Sequence, residues 1–416
     1  MKKIFSVIVL LTLLLTGAIG AWAVEYEVAT DQKASVVLPQ DMLAGPHYKI
    51  RDAVQCYGYM HSFTVDSDFG PFEVTGDYAL RKLLREIQAI AKLQEVKKSK
   101  AYLDSVKGAA KMPFEFGKNI ITDPVDTVSG VPKGVYRLFS NIGTSMGSER
   151  DPSEDARYKE LLLLSSYKRD YAYELGVDVY SSNPVLQKEL NSVGWAGAAG
   201  NLSVSAALAP FGGTGVMVVK MTSLGQSFNN MLKKEPASRL RQVNAEKLEK
   251  MGVSKELADK FLDHPAFTPT HDTVLVGSLA TLTSARGQAT FINLALTAED
   301  EESANFFQNM AETMRGYNDS VSPIKDITVA FGVIFAKAEN GSVMIPFPLD
   351  RGVWTERAAW VIPNALNSYK KATGAKSLGK VELWVTGTVT PLAKLESAKL
   401  GLDIVENVDQ KIEFMY

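Results

Sequence analysis

At Gly76 the period of the sequence changes, and that change constrains the fold more than any other feature. Upstream, "HYKIRDAVQCYGYMHSFTV" and "GPFEVTG" are rich in β-branched and aromatic residues, with Asp66, Asp68 and Gly70 as turn residues between them. Such runs suit short, half-buried strands, so residues 24–76 read as a β meander. Downstream, Leu80, Leu83, Leu84, Ile87, Ile90 and Ala91 recur at i, i+3, i+4, i+7 spacing. That is an amphipathic helix beginning near Asp77 and running towards Lys107. Pro113, Pro124 and Pro132, with interleaved glycines, then permit only short pieces. Asp151-Pro152-Ser153-Glu154 offers a cap, a proline at the first helical position and a glutamate at the third, and Gly176 can stop that helix. Asn183-Pro184 starts another in the same way. Residues 235–317 read as helix throughout, divided by Gly252, Pro265 and Gly287 into four or five segments.

The pattern turns again near residue 320. "DITVAFGVIFAKAENGSVMIPFP" reads as a β-hairpin, with Asn340-Gly341 supplying the positive φ angles of a type I′ turn. "KVELWVTGTVTPLAKLESAKLGLDIVENV" reads strand, helix, strand, with Thr390 as cap, Pro391 at the first helical position and Gly401 at the end. The expected class is α+β. A β-rich N-terminal region (24–76) and an α/β C-terminal region (320–416) flank a large, mainly helical middle (77–319). The two β regions are placed to pair into one sheet, with the helices as an insertion.

The first residues address the compartment. Lys2 and Lys3 precede the apolar run "IFSVIVLLTLLLTGAIG", and Ala21-Trp22-Ala23 is an A-x-A cleavage site. Residues 1–23 thus read as a secretory signal peptide, with no transmembrane span once it is removed. The mature chain is expected to start at Val24, periplasmic or associated with the outer envelope. Cys56 is the only cysteine. No intramolecular disulfide can form, and cysteine-rich metal sites are excluded. With 45 basic and 47 acidic side chains the charge is nearly balanced. Balanced charge argues against nucleic acid as a general partner.

Two stretches raise the question of a surface partner. "GWAGAAGNLSVSAALAPFGGTGVMVV", Gly194 to Val219, holds no charged residue. Asn201, Ser203, Ser205, Pro210 and its glycines interrupt it, so it is no ordinary membrane span. It reads as a buried helix, a glycine-rich turn and the start of another helix, with a loop that moves over a ligand or enters a bilayer as the alternative. Between Arg81 and Lys118 basic residues outnumber acidic ones by ten to four. Lys92, Lys97, Lys98, Lys100, Lys107 and Lys111 are therefore candidates for binding an anionic surface. A solvated helix face, matched by acidic parts of the same protein, is the competing reading.

Motifs for chemistry are sparse. No H-E-x-x-H, G-x-S-x-G, phosphate loop or dinucleotide fingerprint is present. His264 and His271 lie in "LDHPAFTPTHDTV", each beside an aspartate, Asp263 and Asp272. Two imidazoles and two carboxylates could serve hydrolysis or hold zinc. In the structural alternative Thr268 or Thr270 caps a helix and a histidine ends the preceding one. His47, Cys56 and His61 form a second candidate metal group, although on one strand Cys56 and His61 would face opposite sides. Asp66, Asp68 and Asp77 are spaced like a calcium loop, but Gly70 and Pro71 occupy positions where a ligand and the turn glycine belong, which favours an acidic β-turn.

Three segments, "REIQAIAKLQEVKKSKAYLDSVKGAAKMPFEFGKNIITDPVDTVSGV", "LGVDVYSSNPVLQKELNSVGWAGAAG" and "VTGTVTPLAKLESAKL", resemble a family of uncharacterised exported bacterial proteins. The resemblance implies export and brings neither an activity nor catalytic residues. "TDPVDTVSG" is also similar to short amphipathic segments ahead of toxin domains in large secreted bacterial proteins, a match too brief to imply a toxin. The expectation is an exported cell-envelope protein with a non-enzymatic binding or structural role, no cofactor, and an envelope partner or anionic surface as its target. The alternatives are a periplasmic hydrolase using the His264/His271 region and a peripheral membrane-binding protein.

Overall fold

In a computed structural model of the chain, residues 26–57, 59–109, 152–200, 202–209 and 223–415 are described. The expected signal peptide, the Asp151 cap, Lys111, and residues 210–219 of the uncharged stretch lie outside them. The fold is α+β.

The N-terminal β region comprises β1 (Gln32–Lys33), a one-turn helix α1 (Ala34–Val37), β2 (Ala44–Gly45), β3 (Tyr48–Ile50), β4 (Ala53–Tyr57), β5 (Met60–Ser67) and β6 (Gly70–Thr75). All pairings are antiparallel. β5 is the organising strand: β6 pairs along one edge, while β4 and β3 share the other. Because side chains alternate across a strand, His61, Phe63 and Val65 of β5 point to one buried face.

α2 (Asp77–Lys98) covers that face. Its Leu80, Leu83, Leu84 and Ile87 join Phe63 and Val65 in one apolar cluster. Each such side chain, fully buried, contributes roughly 1.5–3 kcal/mol before entropy is counted. The helix then breaks. Ser99 is extended (ψ 147°), and α3 (Lys100–Ala109) restarts after it, where the periodicity predicts a single continuous helix.

α4 (Pro152–Leu175), α5 (Pro184–Gly200) and α6 (Val204–Leu208) follow. Asn183 caps α5 by accepting the Val185 N–H at 3.0 Å. Ile90, Leu93 and Val96 of α2 pack with Leu186, Leu190 and Val193 of α5 and with Leu202, Val204 and Leu208. Gly197 lies so close to Tyr167 of α4 that a Cβ there would fall 2.5 Å from the ring. The described part of the uncharged stretch thus packs into the interior, through Ala196, Leu202, Val204, Ala207 and Leu208.

The remaining helices are α7 (Ser223–Lys234), α8 (Ala237–Lys250), α9 (Lys255–Leu262), α10 (Pro269–Ala280), α11 (Gln288–Ala295) and α12 (Glu301–Ser320). α10 is buried almost all round. Phe261, Leu275, Leu279, Phe291, Met314 and Tyr317 lie in the largest apolar cluster, which continues into the C-terminal sheet through Ile334 and Met344.

The C-terminal region contains β7 (Ile324–Ala330), β8 (Val333–Ala338), β9 (Val343–Pro346), β10 (Arg351–Gly352), α13 (Glu356–Thr373), β11 (Val381–Trp384), β12 (Thr388–Val389), α14 (Pro391–Lys399) and β13 (Leu402–Val405). The main sheet has the order β13-β11-β9-β8-β7. β9, β11 and β13 are parallel, and β7 and β8 are antiparallel to their neighbours. β10 and β12 form a separate parallel pair. Helix α13, with Pro363 inside it, is not anticipated by the sequence reading.

Two expectations are corrected here. The β regions do not merge: they form separate sheets, bridged at Glu27, which bonds Trp354 and Thr390, and at the joint described below. The expected single hairpin is also two turns. Ala330 pairs with Val333, so Phe331 and Gly332 form the two-residue loop, with φ of 54° and 74°. At the other turn only Gly341 has a positive φ (85°), while the Asn340 side chain accepts the Ser342 N–H at 2.9 Å. The left-handed pair that favours Asn-Gly is therefore made by Phe-Gly, which puts an aromatic residue into a costly conformation.

Candidate functional site

The two β regions meet where Tyr59, at the start of the β5 hairpin arm, offers its carbonyl to the N–H groups of Asp350 (3.0 Å) and Arg351 (3.1 Å). Asp350 is held from behind by the β10–β12 pairing: its own carbonyl accepts Thr388 N–H, and Gly387 N–H reaches the Leu349 carbonyl at 2.7 Å. A Cβ on Gly387 would sit 2.0 Å from the Asp350 carbonyl oxygen, so only glycine permits this approach.

So fixed, the Asp350 carboxylate points into the N-terminal region. Its Oδ2 accepts the His61 backbone N–H at 2.8 Å, and both oxygens lie 3.2 Å from the Asp77 N–H. Asp77 is the first residue of α2, and the preceding Gly76 has no side chain to cap it. Asp350 therefore supplies, from 273 residues away, an acceptor for a helix N-terminus that lacks a local one. The His61 ring closes the arrangement. Nδ1 donates to Asp77 Oδ1 at 2.9 Å and stands 3.9 Å from Asp350 Oδ2.

One nitrogen of His61 and one oxygen from each aspartate all lie within 4.8 Å of one another. His61 is 4 % and Asp350 8 % exposed, whereas the Asp77 side chain retains 28 % and gives the cluster its contact with solvent. Burial pushes the Asp350 carboxyl up to about 7, with the Asp77 charge adding to the shift and the His61 and Asp77 N–H groups opposing it. For His61, burial lowers the pKa, but the hydrogen bond and charge of Asp77 and the charge of Asp350 outweigh it and raise the imidazole above its ordinary value. His61 Nε2 is buried without a partner among the described residues. The centre is an imidazole with a raised pKa between two carboxyl groups, of which that of Asp350 is pushed up as well.

Of the sequence candidates, His61 belongs to this centre and the others are distributed around it. Cys56 and His61 are directly paired residues of the antiparallel β4–β5 ladder, hence on one face, which corrects the single-strand argument that separates them. Cys56 lines a neighbouring cleft of about 210 Å³ with Glu27, Tyr59 and Arg351, and burial raises its thiol pKa. His47 is elsewhere, bonded to Asp68 at 2.8 Å on the surface. Asp66 pairs with Arg51, so Asp66, Asp68 and Asp77 do not converge as a calcium loop would require.

Asp263, His264, His271 and Asp272 also point to different places. Asp263 is exposed and holds Arg241 in a two-point contact (3.0 and 2.9 Å). His264 accepts the Ala266 N–H at 3.3 Å. Asp272 is buried, and that burial raises its pKa well above the ordinary value. His271 completes a capping box with Thr268 and reaches Asn305 at 3.1 Å. It adjoins a second buried polar cluster, in which Lys82 of α2 lies 3.6 Å from Asp178 and 3.4 Å from Glu301. Burial opposes the charge on Lys82, but Asp178, Glu86 and Glu301 together hold it firmly protonated. Burial and the Lys82 charge lower the pKa of His271.

The surface-binding lysines divide as well. Lys97 is paired with Glu189 (2.8 Å) and Lys98 with Glu95 (2.7 Å). Lys100 and Lys107 are exposed on α3, and Lys92 is half-buried on α2. A membrane-binding role needs these lysines and the uncharged stretch on one exposed face. In the described part of that stretch Ala196, Leu202, Val204, Ala207 and Leu208 pack inward, while Ser203, Ser205, Ala206 and Ala209 are exposed. No described helix is long and apolar enough to cross a membrane.

Sequence reasoning names His61 for the wrong partners, notes Asp77 only as a helix start and loop position, and does not single out Asp350. The available signal was the alternation in "MHSFTV", which places His61 on the same face as Phe63 and Val65 and so marks a buried imidazole in need of a partner. In comparisons with known proteins, no family model, no curated protein and no solved structure matches the chain.

Proposed function

We propose that the chain is an exported protein of the cell envelope with a binding role, and that His61, Asp77 and Asp350 hold a divalent metal ion. The observation that carries the metal is the mutual approach of one nitrogen and two carboxylate oxygens, drawn from β5, the start of α2 and the segment before β10. An N,O,O donor set suits zinc among the common divalent ions. The ion would replace the proton that His61 Nδ1 shares with Asp77, together with any held by Asp350, so its binding is proton-linked. It would fasten the N-terminal sheet to the C-terminal region at the Tyr59–Asp350 joint, beside the contacts that Glu27 makes with Trp354 and Thr390. Export rests on Lys2, Lys3, the apolar run after them and Ala21-Trp22-Ala23.

The test is metal content and thermal stability of purified protein, stripped with chelator and then titrated with zinc at neutral pH. The expected result is one zinc per chain and a higher Tm, both lost in His61→Ala and Asp350→Asn. A chain that folds, takes up no zinc and has an unchanged Tm overturns the metal assignment. Fractionation, with N-terminal sequencing of the exported form, is expected to find Val24 at its start; an intact Met1 terminus in the cytoplasm overturns export.

A further inference from the structure

A larger cleft, about 400 Å³, opens where the N-terminal sheet, the start of α2, the start of α12 and Pro348 come together. Its chemistry is one-sided. Glu299, Asp300 and Glu302 stand along it, Phe306 and Met60 give it apolar walls, and no lysine or arginine is among its described lining residues.

A helix N-terminus ordinarily favours anions, because its first N–H groups lack partners. Here part of that donor set is already engaged. Asp300 caps α12 by accepting the Ser303 N–H at 2.9 Å, and the Ser303 hydroxyl accepts the Asp300 and Glu299 N–H groups at 3.0 Å. The charged side chains around it are acidic. Burial first, and then the Asp300 charge, raise the pKa of Glu302 against a hydrogen bond from Thr75.

The second observation is independent of the acidic edge. Asn309, two turns further along α12, also lines the cleft, is 6 % exposed, and its Oδ1 has no hydrogen-bond partner among the described residues. A buried carbonyl left unpaired costs stability, and an apolar side chain of similar shape would avoid that cost. Its presence beside an acidic, partly apolar cleft is accounted for by a ligand that brings a donor to it.

We infer that this cleft binds a small organic amine, protonated at neutral pH, with an apolar body and a hydrogen-bond donor at its far end. The ammonium group meets Glu299 and Glu302, the body lies along Phe306 and Met60, and the donor reaches Asn309 Oδ1 when the amide, whose oxygen is closed off in the free protein, turns towards the cleft. The site is separate from the His61 centre and needs no metal.

Tyramine has these three parts and serves as the probe. Calorimetry on chelator-treated protein compares it with phenethylamine, which lacks the hydroxyl donor, and with 3-(4-hydroxyphenyl)propionate, which carries a carboxylate in place of the ammonium. Tyramine is expected to bind, phenethylamine about tenfold more weakly, and the carboxylate not measurably, since a site built to pair a donor discriminates against its absence. Glu302→Gln is expected to weaken tyramine about tenfold, a typical loss for one charge-assisted contact. Asn309→Leu is expected to keep or raise the Tm while weakening tyramine to the level of phenethylamine. Absence of heat with tyramine at millimolar concentration overturns the inference, as does equal binding of the carboxylate or unchanged affinity in both folded variants. Because chelator is present throughout, failure of the zinc experiment leaves these outcomes intact.

Discussion

Replacing Asp350 by asparagine separates what its charge does from what its hydrogen bonds do. The amide oxygen of the substituted side chain can still accept from the His61 and Asp77 N–H groups, so the joint between the two regions keeps its shape. What disappears is a titrating group whose folded pKa is about 7, against an ordinary value of 3.8. The sign follows from proton counting. Between these values the folded chain holds a proton that the unfolded chain has released, so stability falls as pH rises through the window. His61, with its pKa raised, acts in the same direction: its contribution is complete below about 6.5 and is lost as pH climbs past the folded value. At 1.36 kcal/mol per unit, Asp350 alone takes about 2–3 kcal/mol from the wild type between about pH 5 and about pH 8. The assay is urea unfolding at a series of pH values in chelator, wild type beside Asp350→Asn. The wild-type midpoint should fall across that range, and the variant should show a shallower slope. If the two slopes coincide, Asp350 does not carry the proton assigned to it, and the reasoning about this centre fails.

Other perturbations probe the joint and its surroundings. Gly387→Ala drives a methyl group into the Asp350 carbonyl at 2.0 Å, a backbone contact that cannot rotate away; a loss of about 1–3 kcal/mol is expected in denaturant unfolding, with the zinc-dependent rise in Tm reduced. Lys82→Ala leaves Asp178, Glu86 and Glu301 without their shared cation. Removing one partner of a buried ion network costs about 3–5 kcal/mol, so its Tm should drop more than that of any surface lysine variant. His271→Ala opens the Thr268 capping box and should cost about 1–2 kcal/mol by chemical denaturation. Because burial lowers the His271 pKa, the wild type should also lose stability as pH falls below about 6.5, and this acid-side loss should be absent in the variant.

Much of the helical architecture is readable along the chain because its signals are local. Asn183-Pro184 and Thr390-Pro391 start helices where their side chains can accept N–H groups two or three residues on, and Gly401 ends α14 in a left-handed conformation. The spacing of Leu80, Leu83, Leu84 and Ile87 shows which face of α2 is buried. Ser99 carries no such signal: the apolar period continues past it, and the break between α2 and α3 comes with the packing of both helices on α5. The Phe331-Gly332 turn is hidden for a related reason. Pairing of β7 with β8 imposes a two-residue loop on a residue that does not prefer it.

The amino-acid sequence alone determined the strand and helix periods, the caps, the lone cysteine and the near balance of charge, since each depends on composition or on residues within a turn of one another. Only the tertiary structure decided that the β regions stay apart, that His264 and His271 serve different neighbours, and that His61 and Asp77 meet Asp350. His61 and Asp350 are 289 residues apart. Nothing in either neighbourhood specifies the other, because a buried carboxylate and an uncapped helix end find each other only when the packing of every element between them brings them together.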